Sequence, residues 1–241
     1  DTGLIGLYVA INNGTGFTQE PRLIIGNTAT SLTVFPNWSI PLDATSRYRI
    51  STTPENQTDG RVHTDFLAVS ANTSVGGNDS ISSGIGRDVI FGGSGNDSIV
   101  TSASMSDAVI LGDNGSASYV GGVLTHIQTS DAVHGGNDTI TSTAGREVIF
   151  GGSGADTINV TASGADVVIL GDNGSADFTG GSLTHIQTRD VTFGGNDTIT
   201  SIAGQNVIFG GSGGDTINAA GSTSKAVIVG DHGAANFSSG L

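Results

Sequence analysis

The sequence predicts an all-β chain whose larger part is a solenoid of stacked short strands. Three observations predict it. Glycine makes up about 16% of the 241 residues, more than twice ordinary usage, with 39 glycines against 4 prolines. The tetrapeptide GGND recurs at Gly76, Gly135 and Gly194, in two steps of 59 residues. Between the glycine clusters lie apolar runs of three or four residues, such as 148–150 and 167–170, too short and too often interrupted by glycine for helices. Internal periodicity of this length marks a repeat array.

Composition changes near Asn72–Val75, which is the expected domain boundary. Residues 1–75 hold six acids, four arginines and all four prolines, for a net −2. Residues 76–241 hold 33 of the glycines and sixteen acids against four bases, for a net −12. The whole chain carries −14, with no cysteine. A disulfide framework and a cysteine-based zinc site are therefore excluded. No basic patch exists to neutralise phosphates, so nucleic acid is not an expected partner. No apolar run approaches the ~18 residues of a membrane helix. The first ten residues lack the charged start and cleavage site of a signal peptide.

Residues 76–134 and 135–193 align without a gap, with 38 of 59 positions identical. The third copy stops at Leu241 inside the unit, so the chain is expected to be a piece of a longer one. Each unit holds three glycine turns. In the second copy these are GGND at 135–138, GGSGAD at 151–156 and GDNG at 171–174, each followed or preceded by a short apolar strand.

The nonapeptides GGSGNDSIV (92–100), GGSGADTIN (151–159) and GGSGGDTIN (210–218) fit the pattern G-G-x-G-x-D-x-U-x. In them, residues 76–241 resemble the RTX (haemolysin-type) calcium-binding repeat proteins. The resemblance implies a right-handed parallel β-roll, here with about three coils per 59-residue unit, and calcium in the turns. It also implies one-step type I export from a Gram-negative bacterium, hence an extracellular or cell-surface location. The GGND turns depart from the pattern by a two-residue deletion. GDNG at 112 and 171 and GDHG at 230 move the acid to the second position.

Elementary physics leads the same way. Stacked strands bring like residues into register about 4.8 Å apart. The expected inner row is Ile81, Ile90, Ile99, Val109, Ile140, Ile149, Ile158, Val168, Ile199, Ile208, Ile217 and Ile228. The same stacking lines up Asp79, Asp97, Asp113, Asp138, Asp156, Asp172, Asp197, Asp215 and Asp231, and carboxylates that close repel. The chain supplies no bases there. Calcium fits, because it takes six to eight oxygens from carboxylates and backbone carbonyls. Roughly six such ions would cancel the −12 of this region. The glycines expected to turn carbonyls inward are Gly76, Gly92, Gly93, Gly95, Gly135, Gly151, Gly152, Gly154, Gly194, Gly210, Gly211 and Gly213. Asn78, Asn137 and Asn196 complete the candidate ligand set.

The acid of GDNG or GDHG is kept in all three copies (Asp113, Asp172, Asp231), whereas the next candidate reads Ser118, Asp177, Asn236. The first set is therefore favoured as ligands. At the opposite edge the acid decays from Asp88 to Glu147 to Asn206, and Asp107 and Asp166 give way to Lys225. Asp88, Asp107 and Asp166 are thus secondary candidates, on an edge expected to be mostly hydrogen-bonded. His126 and His185, in the repeated LTHIQT, are read as exposed strand histidines rather than transition-metal ligands. The Ser/Thr positions Thr139, Thr141, Ser142, Thr198, Thr200 and Ser201 could form a hydroxyl ladder, but wet-face β-propensity accounts for them.

Residues 1–75 read as a small β-rich capping or insert module. Strands are expected over 4–11, 22–34 and 46–52, with a hairpin turn at Gly26-Asn27 and a small core from Tyr8, Phe17, Phe35, Trp38 and Tyr48. An incomplete first coil is expected over 62–75, with Asp65 equivalent to Asp131 or Asp190.

No catalytic constellation is present, so the chain is read as non-enzymatic. The favoured function is a calcium-stiffened extender segment of a secreted or surface-attached giant protein, such as an adhesin. The alternative is a folding and secretion module of an exported enzyme or toxin. A ligand-binding roll is the third reading, with a cell-surface or glycan ligand as candidate partner beside calcium and neighbouring repeats.

Overall fold

The computed structural model describes residues 4, 7–13, 15, 22–28, 30–35, 37–51, 66–84, 86–101, 107–143, 145–161, 164–222 and 224–238. The chain divides into two compact units, residues 1–64 and 65–241.

The first unit holds one antiparallel sheet of β1 (Tyr8–Asn13), β2 (Arg22–Asn27), β3 (Leu32–Phe35) and β4 (Arg47–Ser51), in the order β3-β2-β1-β4. The hairpin turn lies at Thr28–Ser31, not at Gly26-Asn27. Thr28 N–H donates to the Ser31 carbonyl at 2.9 Å, and the two hydroxyls meet at 2.7 Å. Serine and threonine hydroxyls support turns in the way Asx side chains do. Gly26 instead marks an irregularity inside β2. The expected aromatic core is also revised. Phe35 and Tyr48 are 64% and 62% exposed, whereas Val9, Ala10, Ile11 and Ile24 are buried. Phe17 lies outside the described residues.

The second unit consists of three six-stranded sheets. The first is parallel: β6 (Ser80–Ser83), β8 (Ser98–Thr101), β12 (Thr139–Ser142), β14 (Thr157–Val160), β18 (Thr198–Ser201) and β20 (Thr216–Asn218). The second is also parallel: β7 (Asp88–Phe91), β9 (Ala108–Leu111), β13 (Glu147–Phe150), β15 (Val167–Leu170), β19 (Asn206–Phe209) and β21 (Ala226–Val229). The chain alternates between the two sheets, one strand in each per pass. The third sheet is antiparallel, with β5 (Phe66–Val69), β10 (Gly115–Val120), β11 (Val123–Thr129), β16 (Gly174–Thr179), β17 (Ser182–Thr188) and β22 (Ala234–Asn236).

Sequence explains each sheet. Quartets such as TITS alternate, so Ile81, Ile99, Ile140, Ile158, Ile199 and Ile217 stand in one inward row; the fourth residue turns inward with them, and the hydroxyls of Thr101, Ser142 and Ser201 are buried rather than on a wet face. Quartets of the second sheet, such as VVIL, are almost wholly apolar, as befits strands covered on both faces. Its isoleucines Ile90, Ile110, Ile149, Ile169 and Ile208 pack toward the first sheet. Its other face, with Val109, Leu111, Phe150, Leu170 and Phe209, packs on the third sheet. The expected inner row is therefore corrected at two places. Ile110 and Ile169 hold it, while Val109 and Val168 belong to the opposite face. A run buried on both sides has no period-two signal to fix which residue points where.

The third segment of each unit is also not a parallel coil. It is an antiparallel hairpin whose two-residue turns, Gly121-Gly122 and Gly180-Gly181, all have positive φ (59°, 74°, 59°, 84°). Left-handed conformation at both central residues is the hairpin turn that matches strand twist. Each complete unit thus carries two strand pairs of the parallel sheets plus one hairpin. The 59-residue register reaches back to β5. The hydroxyls of Ser70, Thr129 and Thr188 accept from the N–H of Gly115, Gly174 and Gly233 at 3.0, 3.0 and 3.1 Å. Asn72, Asp131 and Asp190 share a left-handed φ of 56°, 53° and 48°. Asn72 is therefore the equivalent of Asp131; Asp65 lies outside the described residues. Among the described residues no helix is long and apolar enough to cross a membrane.

The isoleucine row makes a direct prediction. Ile169 is fully buried and its equivalent Ile228 is 47% exposed. Ile169→Ala should cost about 2–5 kcal/mol and Ile228→Ala less than about 1 kcal/mol, read by denaturant unfolding in calcium. Equal losses would contradict the assigned core.

Candidate metal centre

Six of the candidate aspartates, Asp79, Asp97, Asp138, Asp156, Asp197 and Asp215, lie in turns that lead into the first parallel sheet, immediately before its strands. Strand pairing carries the backbone ladder through them: Thr139, Thr157 and Thr198 N–H donate to the carbonyls of Asp97, Asp138 and Asp156 at 2.8 Å each. Side chains add a second ladder. Each carboxylate accepts, through Oδ1, the backbone N–H of the aspartate one step earlier in the stack. The steps are Asp79 to Asp97 (2.7 Å), Asp97 to Asp138 (2.7 Å), Asp138 to Asp156 (2.7 Å), Asp156 to Asp197 (2.8 Å) and Asp197 to Asp215 (2.9 Å).

Only half of each carboxylate is satisfied in this way. Oδ2 of Asp97, Asp138, Asp156, Asp197 and Asp215 is buried and has no hydrogen-bond donor. Each points to the Cα of a glycine that ends a strand of the second sheet. A Cβ on Gly92, Gly112, Gly151, Gly171 or Gly210 would clash with that Oδ2 and also with the carbonyl of Gly112, Gly151, Gly171, Gly210 or Gly230, respectively. The small space beside each glycine is therefore lined by a carboxylate oxygen and a carbonyl oxygen, both acceptors. Buried acceptors that face one another without a donor are costly unless a cation lies between them. Among the described residues no three Asp, Glu or His side chains converge. An ion here would take one carboxylate per step and complete its shell with carbonyls, as calcium does and as softer metals do not.

Electrostatics registers the same frustration. Burial raises the carboxyl of Asp97, lifts Asp138 to about 7 and Asp197 to about 8, and pushes Asp156 well above the ordinary range. Neighbouring aspartates add to the rise. Without a counter-charge these side chains favour the protonated form.

The remaining candidates lie around this row. Gly93, Gly95, Gly152, Gly154, Gly211 and Gly213 have φ between 104° and 117°, the conformation the sharp turn demands. Asn78, Asn137 and Asn196 accept, through Oδ1, the N–H of Asn96, Ala155 and Gly214 at 2.9, 2.8 and 2.6 Å, and so tie successive turns together. Gly76, Gly135 and Gly194 provide close approach: a Cβ would strike Ser94, Asp113 and Asp172.

Asp113 and Asp172 form a second row, each spanning the two turns that follow. Asp113 accepts from Gly136 N (3.0 Å) and Ser153 N (2.5 Å); Asp172 accepts from Gly195 N (3.0 Å) and Ser212 N. Both oxygens are thus engaged by backbone donors. Burial lifts their carboxyls to about 8 and about 6. Asp231, at the equivalent place in the third copy, is exposed.

At the opposite edge, Asp107 pairs with Arg87 and Arg146 at 3.5 and 3.4 Å, and Asp166 accepts from Gln205 N at 3.2 Å. Asp88 is half-buried at the start of β7. Ser142 donates to Glu147, and Ser201 to Asn206 at 2.6 Å. His126 and His185 do not meet. His126 Nδ1 contacts Asp177 at 2.6 Å, joining the two hairpins, and His185 Nδ1 contacts Asn236 at 2.8 Å, joining the second hairpin to β22. Sequence reasoning missed those pairs and missed the carbonyls of Gly112, Gly171 and Gly230 beside the aspartate row. Their signal was present: each of these glycines directly follows an apolar run of at least three residues, as Gly92, Gly151 and Gly210 do.

The RTX calcium-binding nonapeptide repeat (4 copies) matches residues 74–103, 134–168 and 191–221. No curated protein and no solved structure matches the chain significantly. All six aspartates of the ladder fall inside the matched segments, whereas Asp113, Asp172 and Asp231 fall outside them. With turns matched in all three units, the chain carries RTX calcium-binding nonapeptide repeats over these segments.

Proposed function

We propose that residues 65–241 form a right-handed parallel β-roll that folds on calcium and acts as an extender segment of a secreted or cell-surface repeat protein. Right-handedness is the general rule for parallel crossovers. The carrying observation is the row of five buried Oδ2 atoms without donors, each beside a glycyl carbonyl. Asp97, Asp138, Asp156, Asp197 and Asp215 would supply the carboxylates, and Gly112, Gly151, Gly171, Gly210 and Gly230 the carbonyls. Calcium bound there supplies positive charge that neutralises the row and ties each pass of the chain to the next. Asp113 and Asp172 serve instead as clasps that organise the turns through backbone hydrogen bonds. An adhesin-like role and type I export accord with repeated units identical at 38 of 59 positions and with the absence of a catalytic constellation in the sequence. A folding and secretion module of an exported enzyme or toxin would use the same calcium chemistry; a catalytic domain elsewhere in the parent gene would favour it.

Binding to the folded state alone stabilises by mass action. In a calcium-poor cytoplasm the acidic turns therefore favour the unfolded chain, and millimolar calcium outside drives folding. Protons are the competing neutraliser. The ordinary Asp value is 3.8, while the folded values of Asp172, Asp138 and Asp197 stand at about 6, 7 and 8. The folded state thus holds protons that the unfolded chain has released. That contribution is fully present below the ordinary value and disappears as pH rises through about 6 to 8.

Three outcomes follow. Chelator at pH 7.5 should abolish most of the β signal of the repeat region in circular dichroism. Calcium should restore it and magnesium, which demands a tighter octahedral shell, should not; an unchanged spectrum under chelator would contradict the reading. In chelator, the chain should be more resistant to urea at pH 5.5 than at pH 8.5, and the opposite order would show that the buried carboxyls do not hold protons. Asp156→Ala should lower calcium affinity by at least the roughly tenfold typical of disturbing a metal site, while Asp177→Ala leaves it unchanged. Calorimetric titration reads both, and equal affinities would reject the ligand assignment.

A further inference from the structure

A cavity of about 110 Å³ lies between the second parallel sheet and the hairpin layer, at the edge opposite the aspartate turns. On the sheet side it is lined by Val109, Val148 and Val168, which stand in register on β9, β13 and β15. On the hairpin side it is lined by Leu124 of β11, Phe178 of β16 and Leu183 of β17. A concave apolar space with a few polar groups at its rim is the usual make-up of a small-molecule site.

The rim is a row of alternating charge. Arg87, Asp107, Arg146 and Asp166 each directly precede a strand of the second sheet, and pairing sets them side by side in that order. All four line the cavity. Arg87 is held at both ends of its guanidinium: Nη1 donates to the Gly122 carbonyl at 2.5 Å and Nη2 contacts Asp107 Oδ2 at 3.5 Å. Arg146 reaches the same Asp107 oxygen through Nη2 alone, at 3.4 Å, and has no other acceptor among the described residues. Its Nη2 also lies beside the hairpin turn, 3.7 Å from the position of a Cβ on Gly181. Asp166 accepts from Gln205 N at 3.2 Å through Oδ1, and its Oδ2 has no partner among the described residues. Arg146 and Asp166 therefore stand on neighbouring strands, about 4.8 Å apart, as a guanidinium fork and a carboxylate oxygen with bonding capacity to spare. Two other titratable groups line the cavity without adding charge to this rim. Glu147 is in register with Ala108 and Val167, which face the first sheet, and it accepts from Ser142 there. The Tyr119 phenol is lifted to about 12 by burial, so it stays neutral.

We propose that this cavity binds a free apolar α-amino acid. The ligand carboxylate takes the open side of the Arg146 fork, the bidentate geometry that guanidinium favours. The ligand ammonium takes Asp166 Oδ2. The side chain enters between the valines and the hairpin residues. A cavity of roughly 150 Å³ accommodates benzene, so 110 Å³ suits a branched aliphatic side chain of about four carbons. The rim carries two arginines and two aspartates, so a zwitterion keeps it balanced where a simple anion or cation does not. In the third copy the residues equivalent to Arg146 and Asp166 are Gln205 and Lys225, and in the first copy Arg87 already engages Asp107. One site per chain results. It stands apart from the turn row, so its failure leaves the calcium reading untouched.

Calorimetric titration of L-leucine into the full chain in calcium tests the proposal, with circular dichroism of the same samples to establish that the chain is folded. One saturable site per chain is expected. 4-Methylpentanoate lacks the ammonium and 3-methylbutylammonium lacks the carboxylate; each should bind at least about tenfold more weakly, the loss of one charged hydrogen-bonded contact. Arg146→Met and Asp166→Asn, both at exposed side chains, should each weaken leucine about tenfold with the β signal unchanged. Asp166→Asn should leave 4-methylpentanoate binding as it was, and Arg146→Met should leave 3-methylbutylammonium binding as it was. Val168→Phe fills the cavity and should abolish leucine binding. A folded chain that gives no saturable heat with leucine overturns the proposal. So do analogues that bind as tightly as leucine, or folded Arg146→Met and Asp166→Asn variants that bind leucine as the wild type does.

Discussion

The second unit depends on one unresolved interaction: carboxylates stacked in register whose outer oxygen accepts a hydrogen bond while the inner one accepts none. Parallel pairing forces this arrangement. Once Ile140 lies on Ile158 and Thr139 on Thr157, the aspartates immediately before these strands lie on one another too. The chain cannot relieve the repulsion by moving one turn without breaking the ladder on either side. Neutralisation by protons or by cations is the remaining route, and at neutral pH the cation is the one available in quantity outside the cell.

The glycines are best understood through that constraint. At Gly151 a side chain is excluded because a carboxylate and a carbonyl already occupy the space. At Gly152 and Gly154 the left-handed backbone aims the turn's carbonyls. The hydrophobic part is simple by comparison. A single isoleucine per strand fills the gap between the parallel sheets, and valine, leucine and phenylalanine fill the gap to the hairpins. The third layer gives the second sheet cover on both faces, which explains how strands of four residues remain ordered despite their length.

Much of this was legible in the residues. GGND and GGSGxD fixed the turns, the 59-residue step fixed the unit, and alternation in TITS fixed the inward isoleucines of the first sheet. The hairpins were misread as coils because LTHIQT has the same period-two pattern whether its neighbours are parallel or antiparallel. The deciding residues were Gly121-Gly122, a two-residue turn signal lost among so many glycines. Val109 and Val168 were placed on the wrong face because AVIL and VVIL are apolar at every position. The different hydrogen bonding of the acids was beyond sequence altogether. Asp113 and Asp156 are both short carboxylates in glycine turns; only their partners, two backbone donors for one and a single donor for the other, tell them apart.

Anomalous diffraction from crystals grown in calcium tests this account most directly. It predicts peaks about 2.3–2.6 Å from Oδ2 of Asp97, Asp138, Asp156, Asp197 and Asp215, each also touching a glycyl carbonyl. Water alone at those positions with both parallel sheets intact, or peaks confined to Asp113 and Asp172, would contradict it.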